Sequence, residues 1–225
     1  MAKGVDRTVT NFDVRKGNVP VGGTGRGTDD ESAARRPAHE APIGFRPIGM
    51  DDLPAMHRWL NAGGALEWYA RRRMTYDEVA DHYGPCIRRE RPTEGYIILL
   101  AGVGVGYIQA YRLADYPAYD AAAGVGPGAV GIDLFLGEEV GLHRGVGTRV
   151  LRAFLLDVVF IRHEVACCVV GPVERNAAAI RCYARVGFHR VKVVAAPGED
   201  EPELIMRIGR EDLEARPQPA RKKAP

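Results

Sequence analysis

The feature that most constrains the fold is the stretch from residue 129 to residue 188, in which apolar strand patterns alternate with helix patterns. Apolar runs bounded by glycine predict buried strands, and apolar positions three or four apart predict helices. Such an order places helices against a sheet that shares their core. The predicted elements are a strand at Ala129–Leu136, a loop at Gly141–Gly147, a helix at Thr148–Phe160, a strand at Glu164–Val170 and a helix at Asn176–Val186, which Gly187 ends.

The part of the chain before this stretch predicts one short strand and two helices. Thr75, followed three residues later by Glu78, forms a capping box for a helix that runs to about Arg88. Gly84–Pro85 should break or kink that helix. The other predicted elements are a strand at Gly44–Ile48 and a helix from Met50 to about Asn61, capped by Asp51, stopped by Gly63–Gly64 and followed by a loop.

Hairpin signals separate the helical parts of the sequence. Gly95–Arg112 predicts two strands joined by a tight glycine-rich turn. Its GVGVG run is a weak candidate for a nucleotide loop, because a strand follows it where a helix is required. Leu113–Gly128 predicts a long loop, and His189–Ala195 and Glu203–Ile208 predict the last strands. The whole pattern predicts an α/β (α+β) protein with a mixed, mostly antiparallel, twisted sheet and about four flanking helices.

Composition sets the domain boundaries. Residues 1–42 are rich in glycine, arginine and aspartate and carry no apolar periodicity, so we expect a disordered N-terminal extension. Residues 43–210 make one domain, and residues 211–225 form a basic, proline-rich tail. The basic clusters in these ends, Arg35–Arg36 and Arg221–Lys223, are read either as a solvated surface or as a contact for nucleic acid.

Charge and cysteine content exclude several classes of function. The chain has 31 basic and 29 acidic residues, a net charge of +2, which gives no basis for bulk binding of nucleic acid or of an anionic membrane. No secretory or membrane-spanning segment is found, so we expect a soluble cytoplasmic protein. The four cysteines lack metal-ligand spacing, which predicts reduced, buried thiols and no metal site: Cys86, Cys167, Cys168 and Cys182.

The glycine-rich segment Gly141–Thr148 is the first candidate site. Gly145 and Gly147 permit positive φ and close approach of a ligand to the backbone. Backbone N–H groups at the start of a helix bind anions, so the segment is either a pyrophosphate cradle or an ordinary glycine-rich helix entry. His143 and Arg144 would add donors or positive charge.

A second motif, taken together with this glycine-rich segment, resembles the pattern of a known family. The order strand, R/Q-x-x-G-x-G/A, helix, strand and N-x-x-A-x-x-x-Y-x-x-x-G-F is the pattern of the GNAT superfamily of N-acetyltransferases, and Asn176–Phe188 matches its second half. Leu142 departs from the usual Arg or Gln. The stretches WLNAGGALEWY, TYDEVADHYGPCI, GYIQAY, GIDLFLGE and GLHRGVGTRVLRAF resemble aminoglycoside 6′-N-acetyltransferases, a pattern that siderophore acyltransferases largely share.

The resemblance implies a site for acetyl-coenzyme A and an acceptor site. Asp133 would face the substrate amine, and Tyr183 would protonate the departing thiolate. Asp115 would be a further acidic contact, and Gly171 stands where relatives often have an acidic residue, a loss for which Glu174 is the candidate replacement. Coenzyme A would contact Leu134, Phe135, Leu136, Leu142, His143, Arg144, Gly145, Val146, Gly147, Thr148 and Asn176, and the acceptor would contact Glu67, Trp68, Tyr69, Asp115 and Asp133.

The chemistry agrees with these roles but leaves alternatives. A carboxylate with a pKa of about 3.9 is a weak base, so Asp133 would anchor an ammonium group and pass its proton to water. Asp133 could also have a structural partner such as a buried arginine, and Tyr183 and Trp68 could be ordinary core residues. Acetyl-carrying cysteines, Cys182 or Cys167, lack a supporting His–Asp arrangement.

The expected function is therefore acetylation of a primary amine, at the 6′ position, of a polycationic aminoglycoside antibiotic, which would confer resistance. The alternatives are a lysine-type N-acyltransferase of siderophore assembly and a non-catalytic sensor that binds coenzyme A.

Overall fold

The structure, a computed structural model, describes residues 41–137, 145–162 and 164–215. Seven strands of the described residues form one sheet: β1 (Ile43–Pro47), β2 (Glu94–Leu100), β3 (Val103–Arg112), β4 (Ala129–Leu136), β5 (Cys167–Val170), β6 (His189–Val194) and β7 (Glu203–Gly209). Their order across the sheet is β1-β2-β3-β4-β5-β7-β6. Every neighbouring pair is antiparallel except β4 and β5, which are parallel, so the predicted mixed, mostly antiparallel sheet is confirmed.

Six α-helices cover the sheet among the described residues: α1 (Leu53–Leu60), α2 (Tyr76–Ile87), α3 (Pro117–Ala123), α4 (Val146–Phe154), α5 (Ala177–Val186) and α6 (Arg210–Glu214). The largest core cluster contains the buried faces of α4 and α5 together with alternate residues of the central strands. The opposite face of the sheet carries two smaller clusters, one under α1 and α2 and one under α3. Both faces of the central strands are therefore buried, as continuous apolar runs predict.

Several local predictions are confirmed in detail. Thr75 accepts a hydrogen bond from the N–H of Glu78, whose carboxylate accepts from the N–H of Thr75, so the capping box is formed. β2 and β3 form the predicted hairpin, and the turn residues Ala101 and Gly102 both have positive φ, as a tight hairpin turn requires. All four cysteines are free, as predicted, but only Cys167 and Cys168 are buried, whereas Cys86 and Cys182 are half-buried. The adjacent Cys167 and Cys168 contribute to clusters on opposite faces of the sheet.

The predicted cap at Asp51 is wrong. The helix opens with a 3-10 turn over Met50–Asp52 that begins after Gly49. The third residue of this turn reaches back, so the carboxylate of Asp52 accepts the N–H of Gly49 at 2.9 Å and two hydrogen bonds from Arg46. The break predicted at Gly84–Pro85 is also absent, because α2 continues to Ile87 and its apolar side stays packed on the core beyond the proline.

Two segments predicted as loops are partly helical. Ala65–Ala70 forms a π-helical turn. The long segment after β3 contains a 3-10 turn at Leu113–Asp115 and the helix α3, which burial of Tyr119 and Ala123 holds on the sheet. Local patterns do not reveal these elements, because their stability comes from tertiary packing and not from local propensity. A second π-helical turn, Leu155–Val159, continues α4 inside the predicted helix Thr148–Phe160.

The folded region extends slightly past the predicted limits at both ends. Ala41 is buried, and the carbonyl of Pro42 accepts a hydrogen bond from the N–H of Ala101 at 2.8 Å. At the other end, Leu213 of α6 is buried and its carbonyl accepts from Arg152 at 3.0 Å. Packing therefore continues beyond residue 210. None of the described helices has the length and apolar character needed to cross a membrane.

Candidate functional site

The two parallel strands at the centre of the sheet separate part of the way along. Their register runs only from Ala129 opposite Cys167 to Gly131 opposite Val169. Beyond Gly131, β4 continues to Leu136 and pairs with β3 on its other edge. We call the resulting gap the seam; it lies between residues 132–136 of β4 and residues 170–172 at the end of β5. The predicted contacts Leu134, Phe135 and Leu136 all border it.

The helices that follow these two strands begin beside the seam, since the carboxyl ends of parallel strands lie at the same edge. α4 starts after Gly145, whose φ of +75° is the left-handed conformation that glycine permits. Gly147 lies within the first turn of α4 and does not have a positive φ. Thr148 Oγ1 is 3.5 Å from Cys182 Sγ, a contact that joins α4 to α5. The predicted Leu142, His143 and Arg144 lie outside the described residues.

Asn176 caps α5 and retains one unused donor. Its Oδ1 accepts the N–H of Ala179 at 2.9 Å, and the residue is 1% exposed. Its Nδ2 has no hydrogen-bond partner among the described residues. A buried amide donor without a partner is costly. This donor therefore fits an acceptor atom of a ligand bound in the seam.

Tyr183 presents a buried phenol one turn before the end of α5. It is 1% exposed, its ring meets Phe188 edge to face at 5.6 Å, and its hydroxyl has no partner among the described residues. Burial raises the pKa of Tyr183 well above its usual value, and the nearby Cys182 and Asp133 raise that pKa further. The phenol is thus protonated at neutral pH and can donate a proton.

Asp133 is a buried carboxylate in the middle of β4, 1% exposed. Gln109, its register partner on β3, donates from Nε2 to Asp133 Oδ2 at 2.9 Å. Tyr107 donates in turn to Gln109 Oε1 at 2.9 Å, which fixes the orientation of the amide. Sequence reasoning missed both supporting residues. The detectable signal was the spacing Tyr107, Gln109, Tyr111, which puts a polar side chain on one face of an apolar strand.

The predicted acceptor residues in the π-helical turn have different surroundings. Trp68 is buried and stacks under the guanidinium of Arg175, 4.5 Å from the ring centre. Tyr69 is buried with its ring 4.9 Å from that of Phe135. Glu67 is exposed, and its charge contributes to the raised pKa of Arg175, whose main cause is the hydrogen bond from Arg175 to Glu201. Trp68 and Tyr69 each combine burial with a polar atom, the indole Nε1 and the phenol hydroxyl, that lacks a hydrogen-bond partner among the described residues.

Ion pairs tie this turn to the loops around it. Arg175 donates two hydrogen bonds to Glu201, at 2.5 and 2.8 Å, and Arg71 pairs with Glu199 at 3.1 Å. These contacts link the π-helical turn, the loop before α5 and the turn between β6 and β7. We call the group formed by Trp68, Arg71, Arg175, Glu199 and Glu201 the rim. No cluster of His, Cys, Asp and Glu in the described ranges is arranged to hold a metal ion.

The remaining acidic candidates are not equivalent. Asp115 forms a bidentate ion pair with Arg112, at 3.0 and 3.1 Å. Glu174, the candidate replacement for an acidic residue at 171, is exposed. The space in front of Gly171 is instead filled by a residue that sequence reasoning did not consider, because a Cβ at this position would collide with Oε2 of Glu203.

The mixed, mostly antiparallel sheet with flanking helices agrees with the acetyltransferase resemblance, and the candidate site lies where the pairing of its two parallel strands ends. Residues 49–196 match the family model described as "Acetyltransferase (GNAT) domain", so the chain belongs to the GNAT acetyltransferase family.

Within this family, the chain is similar to proteins and solved structures that are named for aminoglycoside acetylation or resistance. The chain is 32% identical over 166 residues to aminoglycoside N(6′)-acetyltransferase type 1 of Klebsiella pneumoniae, covering 73% of this chain and 81% of that protein. It is 39% identical over 80 residues to a kanamycin resistance protein of Rhizobium radiobacter, covering 36% and 71%. The crystal structure of the aminoglycoside acetyltransferase AAC(6′)-Ib with coenzyme A and kanamycin superimposes with a TM-score of 0.67 at 30% identity, covering 77% of this chain and 98% of that one.

Proposed function

We propose that this protein transfers the acetyl group of acetyl-coenzyme A to a primary amine, the 6′-amine, of an aminoglycoside antibiotic and thereby confers resistance. The observation that carries the proposal is a buried carboxylate, Asp133, and a buried protonated phenol, Tyr183, next to the same seam. The similarity to aminoglycoside N(6′)-acetyltransferases over most of the chain supports the choice of acceptor. The four free cysteines are compatible with a cytoplasmic location.

The seam and the two helix starts supply the groups that acetyl-coenzyme A requires. The N-terminus of α4 offers backbone N–H groups and a helix dipole to the pyrophosphate. The unpartnered Nδ2 of Asn176 would donate to a carbonyl of the pantetheine arm. The edge of β4 along the seam would lie beside the thioester. The residues proposed to hold the cosubstrate are Leu134, Phe135, Leu136, Leu142, His143, Arg144, Gly145, Val146, Gly147, Thr148 and Asn176.

Asp133 and Tyr183 divide the proton chemistry between them. Bound acetyl-coenzyme A would supply an electrophilic carbonyl and a thiolate leaving group. Asp133 binds the ammonium group of the substrate. The proton of this ammonium group passes to water, which frees the amine for attack. A backbone N–H of β4 donates to the oxygen that becomes negative. As the new C–N bond forms and the C–S bond breaks, Tyr183 gives its proton to sulfur and recovers one from solvent.

Gln109 has a positioning role in this scheme. Its amide donates to Asp133 Oδ2 and is itself fixed by Tyr107, so the carboxylate is held in one orientation. Held in this way, the Asp133 carboxylate meets the acceptor ammonium group without reorganisation. The acceptor side is completed by Glu67, Trp68, Tyr69 and Asp115.

The direct test is release of free thiol from acetyl-coenzyme A with kanamycin or tobramycin as acceptor, with mass spectrometry to locate the acetyl group. We expect a single acetylation on the 6′-amine, and a loss of kcat/KM of about 100-fold in Asp133→Asn without loss of coenzyme A affinity. No turnover with any aminoglycoside would refute the proposal. Preference for a longer acyl chain and a lysine-type amine would identify a siderophore enzyme, and binding without turnover would identify a sensor.

A further inference from the structure

A second buried carboxylate lies near Asp133 and belongs to the strand on the far side of β5. Glu203, the first residue of β7, is 0% exposed. Tyr119 of α3 donates to Glu203 Oε2 at 3.3 Å. Side chains alternate along a strand, and Ile205, two residues on, packs in the cluster under α3, so Glu203 lies on the face of the sheet opposite α4 and α5. Asp133 shares this face, because its neighbours Ile132 and Leu134 pack with α4 and α5.

The sequence makes room for this carboxylate at the end of β5. A Cβ at Gly171 would collide with Glu203 Oε2 and would come within 2.6 Å of the Tyr119 hydroxyl. Glycine is therefore required here by lack of space, and not by backbone conformation. The carboxylate of Glu203 occupies the volume into which a side chain at residue 171 would project. That volume adjoins the seam, since residue 171 follows the last residue of β5.

The charge of Glu203 acts on the same phenol as that of Asp133. Burial is the main cause of the raised pKa of Tyr183, and both carboxylates raise it further, together with two cysteines. Electrostatic influence of this kind falls off with distance. The β4–β5 register ends where Gly131 lies opposite Val169, so Asp133 and Gly171, beside which the Glu203 carboxylate lies, are each two residues beyond that point.

We propose that Glu203 binds a second ammonium group of the polycationic acceptor, while Asp133 binds the amine that is acetylated. This inference rests on the proposed function. A buried carboxylate is stabilised by a cation with which it can form a charge-assisted hydrogen bond. The exposed carboxylate of Glu174 is less suited to this role, because solvent and salt screen its charge. Two buried carboxylates on one face select acceptors that carry at least two amines.

The first test replaces Glu203 with glutamine, which keeps the shape and the contact with Tyr119 but removes the charge. Glu174→Gln is the matched control, because it removes an exposed carboxylate three residues after Gly171. With kanamycin we expect Glu203→Gln to raise the acceptor KM about 10- to 100-fold, with kcat and coenzyme A affinity within about twofold of wild type. The same variant is then compared with wild type on a series of acceptors, each of which lacks one amine. The rise in acceptor KM caused by Glu203→Gln should disappear for the acceptor that lacks the amine bound by Glu203.

The wild type and Glu174→Gln establish whether aminoglycosides are substrates, so failure of the proposed function is seen separately. If both are active and Glu203→Gln has the same acceptor KM as Glu174→Gln, the inference is wrong. It is also wrong if Glu203→Gln lowers kcat for every acceptor to the same extent or weakens coenzyme A binding, because those results indicate a purely structural role.

A second test relocates the charge. Glu203→Ala should raise the acceptor KM, and the double variant Gly171→Asp with Glu203→Ala should return it to within about fivefold of wild type, because the new carboxylate enters the vacated volume. Gly171→Asp alone should unfold at lower temperature, since it meets Glu203. A folded double variant whose KM is no better than that of Glu203→Ala would overturn the inference, and if the double variant does not fold, Glu203→Gln decides.

Discussion

Replacing Tyr183 with phenylalanine should lower the catalytic rate without lowering the stability of the fold. The hydroxyl is the proposed proton donor to the leaving sulfur, and a positioned general acid contributes about 10²- to 10⁴-fold to the rate, or roughly 3–5 kcal/mol of barrier. We therefore expect kcat to fall by at least about 100-fold. Coenzyme A affinity should hardly change, because the phenol does not carry the main binding contacts.

Stability should respond in the opposite direction. The Tyr183 hydroxyl is buried without a partner among the described residues, so its removal breaks no bond there and relieves a desolvation penalty of about 1–3 kcal/mol. For a protein of this size, 1 kcal/mol corresponds to about 2–4 °C in the midpoint of thermal unfolding. The midpoint of Tyr183→Phe should equal that of wild type or exceed it by a few degrees.

Tyr107→Phe is the matched control for stability. Tyr107 is equally buried, but its hydroxyl donates to Gln109, so its loss should cost about 1 kcal/mol and lower the midpoint by about 2–4 °C. The assays are thiol release under saturating substrates, calorimetry with coenzyme A and thermal unfolding without ligand. An unaltered kcat would show that Tyr183 is not the proton donor. A midpoint as low as that of Tyr107→Phe would show that the Tyr183 hydroxyl does have a hydrogen-bond partner.

Three further changes test the supporting structure. Asn176→Asp keeps the cap on α5 but removes the Nδ2 donor, so calorimetry should show weaker coenzyme A binding at an unchanged unfolding midpoint. Gln109→Leu removes the donor to Asp133 and should lower kcat/KM for the acceptor by about 10- to 100-fold in the thiol-release assay. The hydrogen bond from Arg46 holds the pKa of Asp52 below its usual value. The pair therefore stabilises the fold above the unfolded pKa of about 4, and this contribution is lost as pH falls through the lower folded pKa. Arg46→Gln should therefore lose up to about 1 kcal/mol at pH 7 and match wild type near pH 2 in urea unfolding.

The strands and helices that could be predicted are those in which burial and chain periodicity agree. β4 was predicted with its observed limits, Ala129–Leu136, because a buried strand bounded by glycine leaves little choice. Asn176 and Gly187 fix both ends of α5 for the same reason. The π-helical turn Ala65–Ala70 and α3 could not be predicted, since long-range packing stabilises them.

The candidate site was only partly visible in the sequence. The family resemblance led to the prediction of Asp133 and Tyr183, because Tyr183 belongs to a motif with a known spacing and Asp133 to the similar stretch GIDLFLGE. Glu203 was not, because its approach to Gly171 joins residues 32 positions apart and depends on the pairing of β5 with β7. Gln109 lies across a strand pair from Asp133, so its contribution appears only once the register is known.

The short parallel pairing of β4 with β5 is also a weak junction within the sheet. Strands β1 to β4 form one continuous antiparallel unit and β5 to β7 form another, and three residue pairs join the two within the sheet. A cosubstrate lodged between them would act as a tether across this weak junction. At a hundred times its dissociation constant it would stabilise the protein by about 2.7 kcal/mol. Amide protons along the free edge of β4 should then exchange much more slowly, which makes cosubstrate occupancy readable from exchange rates alone.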